Sequence, residues 1–109
     1  MATFEDFQKL DIRVGEIIQA ESFDKALKPS YKLWVDYGSE IGVLKSSAQI
    51  TERYTPEELV GTQVLGIVNF PPRQVADFMS EALVLGVYTH NGVVLIEPRV
   101  PVRKGDKLG

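Results

Sequence analysis

Thr55-Pro56-Glu57-Glu58-Leu59-Val60-Gly61 is the stretch on which the reading of the fold turns. Thr55 and Glu58 stand at capping-box spacing. Pro56 falls at the first helical position, where its missing N–H is no loss, and Gly61 can adopt the left-handed conformation that ends a helix. The stretch predicts one short helix, and what lies on either side of it decides the architecture.

Upstream, residues 31–37 and 41–48 flank Gly38-Ser39-Glu40 and predict a hairpin. In its first arm Tyr31, Leu33, Val35 and Tyr37 face one way, and Lys32, Trp34 and Asp36 the other. Residues 11–23 read as a long strand with Ile12, Val14, Ile18 and Ala20 on its apolar face and a bulge or coil point at Gly15. Residues 3–10 predict a short helix, with Thr3 as N-cap and Phe4, Phe7 and Leu10 along one face. Two covers suit that face: the end of the protein's own barrel, or a second subunit.

Downstream, residues 62–70 are apolar on both faces, as a central strand would be, and Pro71-Pro72 stops them. Residues 80–89 predict a further strand. His90-Asn91-Gly92 turns it back into residues 93–96, with Asn91-Gly92 suited to a type I′ turn. The tail is basic at Arg99, Arg103, Lys104 and Lys107. One short helix between the third and fourth strands of a five-strand set is the layout of an OB-fold. The expectation is an all-β protein with short helices: a five-stranded OB-fold Greek-key barrel with an N-terminal helix and an extra C-terminal hairpin, residues 1–109 forming a single domain.

The composition agrees with one domain. The chain has 109 residues, 44% apolar and 25% charged, an ordinary globular balance. Twelve Lys and Arg against fifteen Asp and Glu give a net charge of −3, which weighs against nucleic-acid binding by bulk charge but leaves room for a local basic groove. The absence of cysteine excludes disulfides and thiol chemistry and fits a cytoplasmic address. The first residues do not read as a signal peptide, and no run approaches a membrane span, so no membrane insertion is expected.

No catalytic constellation is legible. His90 is the only histidine and stands on a predicted turn, which with no cysteine leaves too few ligands for a tetrahedral zinc site. Ser46-Ser47 has no base nearby in sequence, and neither a P-loop nor a nucleophile elbow occurs. The expectation is no enzyme, no cofactor and no metal. The residues that call for a ligand are those on outward strand faces and in loops. Trp34 beside Lys32 suits stacking or an apolar side chain. Asn69 ends an apolar strand, and Phe70-Pro71-Pro72-Arg73 follows as a rigid loop carrying a guanidinium.

These residues also carry a resemblance. Asp11-Ile12-Arg13-Val14-Gly15-Glu16-Ile17, Lys32-Leu33-Trp34-Val35-Asp36, Tyr54 to Gly61, Asn69 with Pro72-Arg73, and Ser80-Glu81-Ala82-Leu83 together resemble the tRNA-binding domain found at the C-terminus of bacterial methionyl-tRNA synthetases and in free-standing tRNA-binding proteins. The order and spacing of the pieces, from about residue 11 to 108, make the likeness specific. Length, the Asn69–Arg73 loop and the end of the tail are most similar to the stand-alone, CsaA-type members described as secretion chaperones. The resemblance implies a homodimer joined through terminal segments, with Phe4, Phe7 and Leu10 as candidate interface, and binding of unfolded or pre-secretory polypeptides and of tRNA. Asn69, Arg73 and Ser80 match family positions that contact ligand. Lys32, Trp34, Ser46, Phe70 and Phe78 complete the candidate site from the strand faces and the loop. The alternative is a protein that is primarily a structure-specific tRNA binder or a synthetase cofactor. Where tRNA-binding relatives carry His-Pro-Asn-Ala-Asp, this chain has Leu27-Lys28-Pro29-Ser30-Tyr31. Where they add basic residues after Pro-Arg, it has Gln74-Val75-Ala76-Asp77, which dilutes the basic loop.

Overall fold

The computed structural model describes residues 1–109. Its centre is β1 (Ile12–Ser22), which pairs antiparallel with β2 (Tyr31–Asp36) through its second half and with β4 (Gln63–Ile67) through its first. With β3 (Val43–Ala48) and β7 (Leu83–Val84) this makes a five-stranded sheet in the order β3-β2-β1-β4-β7. The sheet curls until β3 meets the chain entering β7. There Glu81 and Ala82 donate their backbone N–H groups to the carbonyl of Lys45, at 2.7 and 3.3 Å. The Ser46 hydroxyl donates to the Ala82 carbonyl at 2.9 Å, and the Ser47 N–H donates to the Ser80 hydroxyl at 3.0 Å. The result is the nearly closed five-stranded barrel of an OB-like fold, as expected.

Two short helices accompany it, α1 (Phe4–Gln8) and α2 (Pro56–Leu59). Both open with a complete capping box: Thr3 with Asp6, and Thr55 with Glu58. Gly61, at φ 91°, follows α2 in the left-handed conformation. It is α2 that packs against β1 and plugs the barrel, burying Leu59 to 1% exposure beside Ile17, Leu33, Val35 and Val64. Full burial of such a side chain stabilises by about 1.5–3 kcal/mol. The end of the barrel is therefore filled without α1, and Phe4 remains 70% exposed. The side-chain amide of Asn69 holds α1 in place, accepting from the N–H of Asp11 and donating to the carbonyl of Lys9, each at 2.8 Å.

The bulge in β1 is displaced from Gly15. Ile17 pairs with Val35 and Gln19 with Trp34, so the register slips at Ile18. Gly15 and Ile17 face the core while Ile12 and Val14 face outward; the extra residue lets Ala20 rejoin the inner face and leaves Ile18 exposed, against the expectation that Ile12, Val14, Ile18 and Ala20 share one face. Gly15 answers a different demand. A Cβ there would stand 2.8 Å from the Tyr37 ring. Gly66, across the barrel, meets the same side chain at its hydroxyl. Tyr37 is fully buried, and its hydroxyl has no hydrogen-bond partner.

Three other expectations are corrected. The rigid loop after Pro71-Pro72 is a hairpin, β5 (Arg73–Val75) with β6 (Phe78–Ser80), turned by Ala76 and Asp77. The strand expected over residues 80–89 is broken into the end of β6, then β7, then β8 (Gly86–Thr89), because the seam with β3 occupies Ser80–Ala82. β8 pairs with β9 (Gly92–Leu95) across His90-Asn91, neither of which takes a positive φ. Gly92, at φ 100°, lies in β9, so the turn has the geometry of a type I turn with a glycine bulge and is not type I′. The tail returns to the start of β1: Gly105 donates to Val14, Val14 to Asp106 and Leu108 to Ile12, at 2.7–2.9 Å.

Candidate ligand-binding face

β2 and β3 are in continuous register, which sets Lys45 opposite Trp34 and Ser47 opposite Lys32. Paired residues point to the same side of a sheet, so Lys32, Trp34, Lys45 and Ser47 share the outer face. β6 lies against β3 and delivers Phe78 onto this face, buried to 6% exposure. Its ring meets Trp34 edge-on at 5.7 Å and Phe23, from the end of β1, at 5.5 Å. The Lys32 ammonium lies 4.9 Å from the Phe23 centroid and 5.2 Å from that of Phe78, and the Lys45 ammonium lies 5.2 Å from Phe78. The negative ring faces hold the two cations in place without neutralising them.

Arg73 is rooted on the same side. It pairs with Ser80 in the hairpin, hence shares a face with Val75 and Phe78, and its exposed guanidinium makes no hydrogen bond or ion pair. The hairpin tip is tied down by the Lys25 ammonium, 2.9 Å from the Asp77 carboxylate. That hydrogen bond holds the Asp77 carboxyl below its usual range. Asp77 therefore pairs with Lys25 and acts on Lys32 only through space, and Lys32, Lys45 and Arg73 form no direct ion pair.

Of the residues singled out in the sequence, Lys32, Trp34 and Phe78 meet in this cluster, and Arg73 shares its side of the hairpin. Ser46 and Ser80 do not reach it; Ser46 is 1% exposed, and both hydroxyls close the barrel seam. Asn69 is engaged at α1, and Phe70 is exposed in the loop leaving β4. The basic tail is elsewhere: Lys104 lies 3.1 Å from Asp36, at the far end of β2 from Lys32. Phe23 and Lys45 were not foreseen. Counting β3 back from a two-strand register would have found Lys45. Phe23 lies beyond the bulge, where alternation no longer reports facing.

No group of three His, Cys, Asp or Glu side chains could hold a metal ion, and His90 stands exposed on the β8–β9 turn. No helix is long and apolar enough to cross a membrane. What the face offers is binding: flat apolar rings, two ammonium groups over them, and a guanidinium alongside.

Comparison with known proteins places this architecture. Residues 12–107 match the family described as "Putative tRNA binding domain". The CsaA chaperone protein of Picrophilus torridus superposes with a TM-score of 0.96 at 48% identity, covering all of both chains. The chaperone CsaA of Bacillus anthracis does so with a TM-score of 0.93 at 49% identity, over 100% of this chain and 99% of that one. The methionine–tRNA ligase of Archaeoglobus fulgidus is 37% identical over 106 residues, which is 97% of this chain and 16% of that enzyme; the chain thus spans about a sixth of such relatives. On these matches, and on the barrel that carries them, the chain belongs to the tRNA-binding domain family.

Proposed function

We propose that the chain is a non-catalytic, cytoplasmic binding protein that holds extended polypeptide segments, unfolded or destined for export, and that can also hold tRNA. The observation that carries this is the clasp of Lys32 and Lys45 on Phe78 beside Trp34. The half-buried ring of Trp34, seated on the buried rings of Phe23 and Phe78, offers apolar surface to side chains of a chain in extended form, and the amines beside it can donate to backbone carbonyls. Similarity to proteins named chaperones, at nearly half identity over the whole length, supports the polypeptide as main ligand. A net charge of −3 supports it over an RNA-first role. The tRNA reading is favoured by the three cations without a direct ion pair and by the family itself.

Trp34, the only tryptophan, reports on this face. Titration with a permanently unfolded polypeptide should change its fluorescence and persist at near-physiological salt, and Trp34→Ser should abolish binding measured by anisotropy of a labelled ligand. Binding of tRNA should weaken steeply with salt, and Arg73→Ala should reduce the logarithmic slope by about 1. Salt-insensitive binding that survives Trp34→Ser would overturn the site. Tight tRNA binding without any for polypeptide would make the RNA role primary.

The same reading includes a homodimer. Register aligns Ile12, Ile67 and Leu83 across three strands on the outer face; Ile12 and Ile67 are covered within the chain, and the row comes to the surface at Leu83. Leu83 is 45% exposed there, and Phe4 projects from α1 nearby in sequence to β1. An apolar outer face of this kind is what a second subunit would cover.

A further inference from the structure

The β1–β2 loop encloses an open cavity of about 470 Å³, walled by Phe23, Leu27, Pro29 and Tyr31, with Asp24 and Thr51 among its polar lining. Phe23 belongs both to this cavity and to the aromatic face, because the Lys32 ammonium lies 4.9 Å from its centroid. The Lys32 and Lys45 ammonium groups each stand 5.2 Å from the Phe78 centroid, so neither is further from the other than twice that distance. A recess of mixed polar and apolar lining and the Lys32 cation therefore share the Phe23 ring as a wall.

We infer that the segments held here are acidic ones, in which an apolar side chain enters the loop cavity and a carboxylate two residues along the extended chain lies on Lys32, with Lys45 adding its charge from across Phe78. The inference rests on the polypeptide reading above and narrows its substrate class. Side chains two residues apart in an extended chain lie on one face about 7 Å from each other, a span that carries from the cavity past the Phe23 ring to the ammonium groups. Each ammonium has donors to spare, since a ring face occupies none of them in a conventional hydrogen bond. The carboxylates of the neighbourhood are already engaged. Asp77 is bound to Lys25 at 2.9 Å, Glu81 accepts the N–H of Lys45 at 2.9 Å, and Glu21 accepts from the Gln19 amide at 3.4 Å. Asp24, at the cavity, is the one without a partner. A basic segment would meet Lys32, Lys45 and Arg73 free of direct ion pairs, and a neutral one would leave them unused.

Three short labelled peptides of equal length test this by fluorescence anisotropy: one repeating Leu-Ser-Glu, one repeating Leu-Ser-Lys and one repeating Ser-Ser-Glu. The Leu-Ser-Glu peptide should bind about tenfold more tightly than either control, from a partly exposed ion pair and removal of repulsion relative to the Lys peptide and from a buried apolar side chain relative to the Ser peptide. Lys45→Glu should abolish the preference for Glu over Lys. Lys45→Gln, which keeps the stem over Phe78, should reduce it, and circular dichroism checks that both variants fold. If the Glu and Lys peptides bind alike, the acidic selection is overturned while the polypeptide reading stands. If none of the three binds where a permanently unfolded polypeptide does, the inference falls by itself. If no polypeptide binds at all, both fall together.

Discussion

Tyr37 is fully buried in the barrel with a hydroxyl that no donor or acceptor reaches, and removing that single oxygen is the sharpest test of how the core is built. A buried hydroxyl without a partner costs about 1–3 kcal/mol relative to its hydrated state. Tyr37→Phe should therefore stabilise the protein by about 1 kcal/mol, which in a domain of this size raises the Tm by about 4–8 °C. The paired substitution acts in the opposite direction. A Cβ at Gly66 would overlap the Tyr37 hydroxyl and lie 3.0 Å from Cζ, so Gly66→Ala should cost about 1–3 kcal/mol by overpacking. In the double variant the hydroxyl is gone and only the milder ring contact remains. The cycle should then show a favourable coupling of about 1 kcal/mol. A pH series gives an independent readout. Burial pushes the Tyr37 hydroxyl well above its ordinary value of 10.0, so the folded chain keeps the proton that the unfolded chain gives up. That contribution is fully present below pH 10 and is lost as the pH rises through the folded value. Tyr37→Phe should flatten this alkaline limb. Urea unfolding of the four variants at neutral and alkaline pH measures all of it. A loss of about 1 kcal/mol or more on Tyr37→Phe would show that the hydroxyl is hydrogen-bonded in the fold and would refute the reasoning.

Ala76 holds φ 51° at the tip of the β5–β6 hairpin, a conformation that costs a residue with a Cβ about 1 kcal/mol, so Ala76→Gly should leave the hairpin no less stable and raise the urea midpoint slightly. The Gly38 N–H and then the Lys104 ammonium hold the Asp36 carboxyl below its ordinary 3.8, so the stability it contributes is present above that value and is lost as the pH falls through the lower folded one. Asp36→Asn should therefore blunt the acid limb of a stability-against-pH curve. Leu83→Lys on the exposed outer face should convert a dimer to monomers by light scattering at micromolar concentration, with the barrel still folded. Arg73→Ala should weaken tRNA binding and lower its salt slope; an unchanged slope would remove Arg73 from the face.

Local chemistry made much of the fold legible. The Thr3 N-cap, the Thr55–Glu58 capping box, the Gly61 terminator and the alternation of residues 31–37 are decided by neighbours in sequence, and the structure keeps them. What was hidden depends on partners far along the chain. The slip at Ile18 exists because β1 must serve β2 and β4 at once, so the return of Ala20 to the inner face could not follow from alternation alone. The polar character of Ser46, Ser80 and Asn69 was visible, but those groups serve the seam and the α1 clamp, and a hydrogen-bonding side chain reads the same in sequence whether its partner is ligand or backbone. Lys32 and Trp34 came through because their strand is regular. Phe23 and Lys45 join them only through tertiary register.

The tail that lies along β1 bears on how the chain folds. The backbone groups of Ile12 and Val14 are satisfied by residues 105–108, far along the sequence. Closing a loop of that length is entropically slow, and contacts of this separation form late in folding. β1 therefore stays open along one edge, an apolar strand without its partner, until residues 105–108 have docked. The edge of β1 is where that stage is most exposed to mispairing.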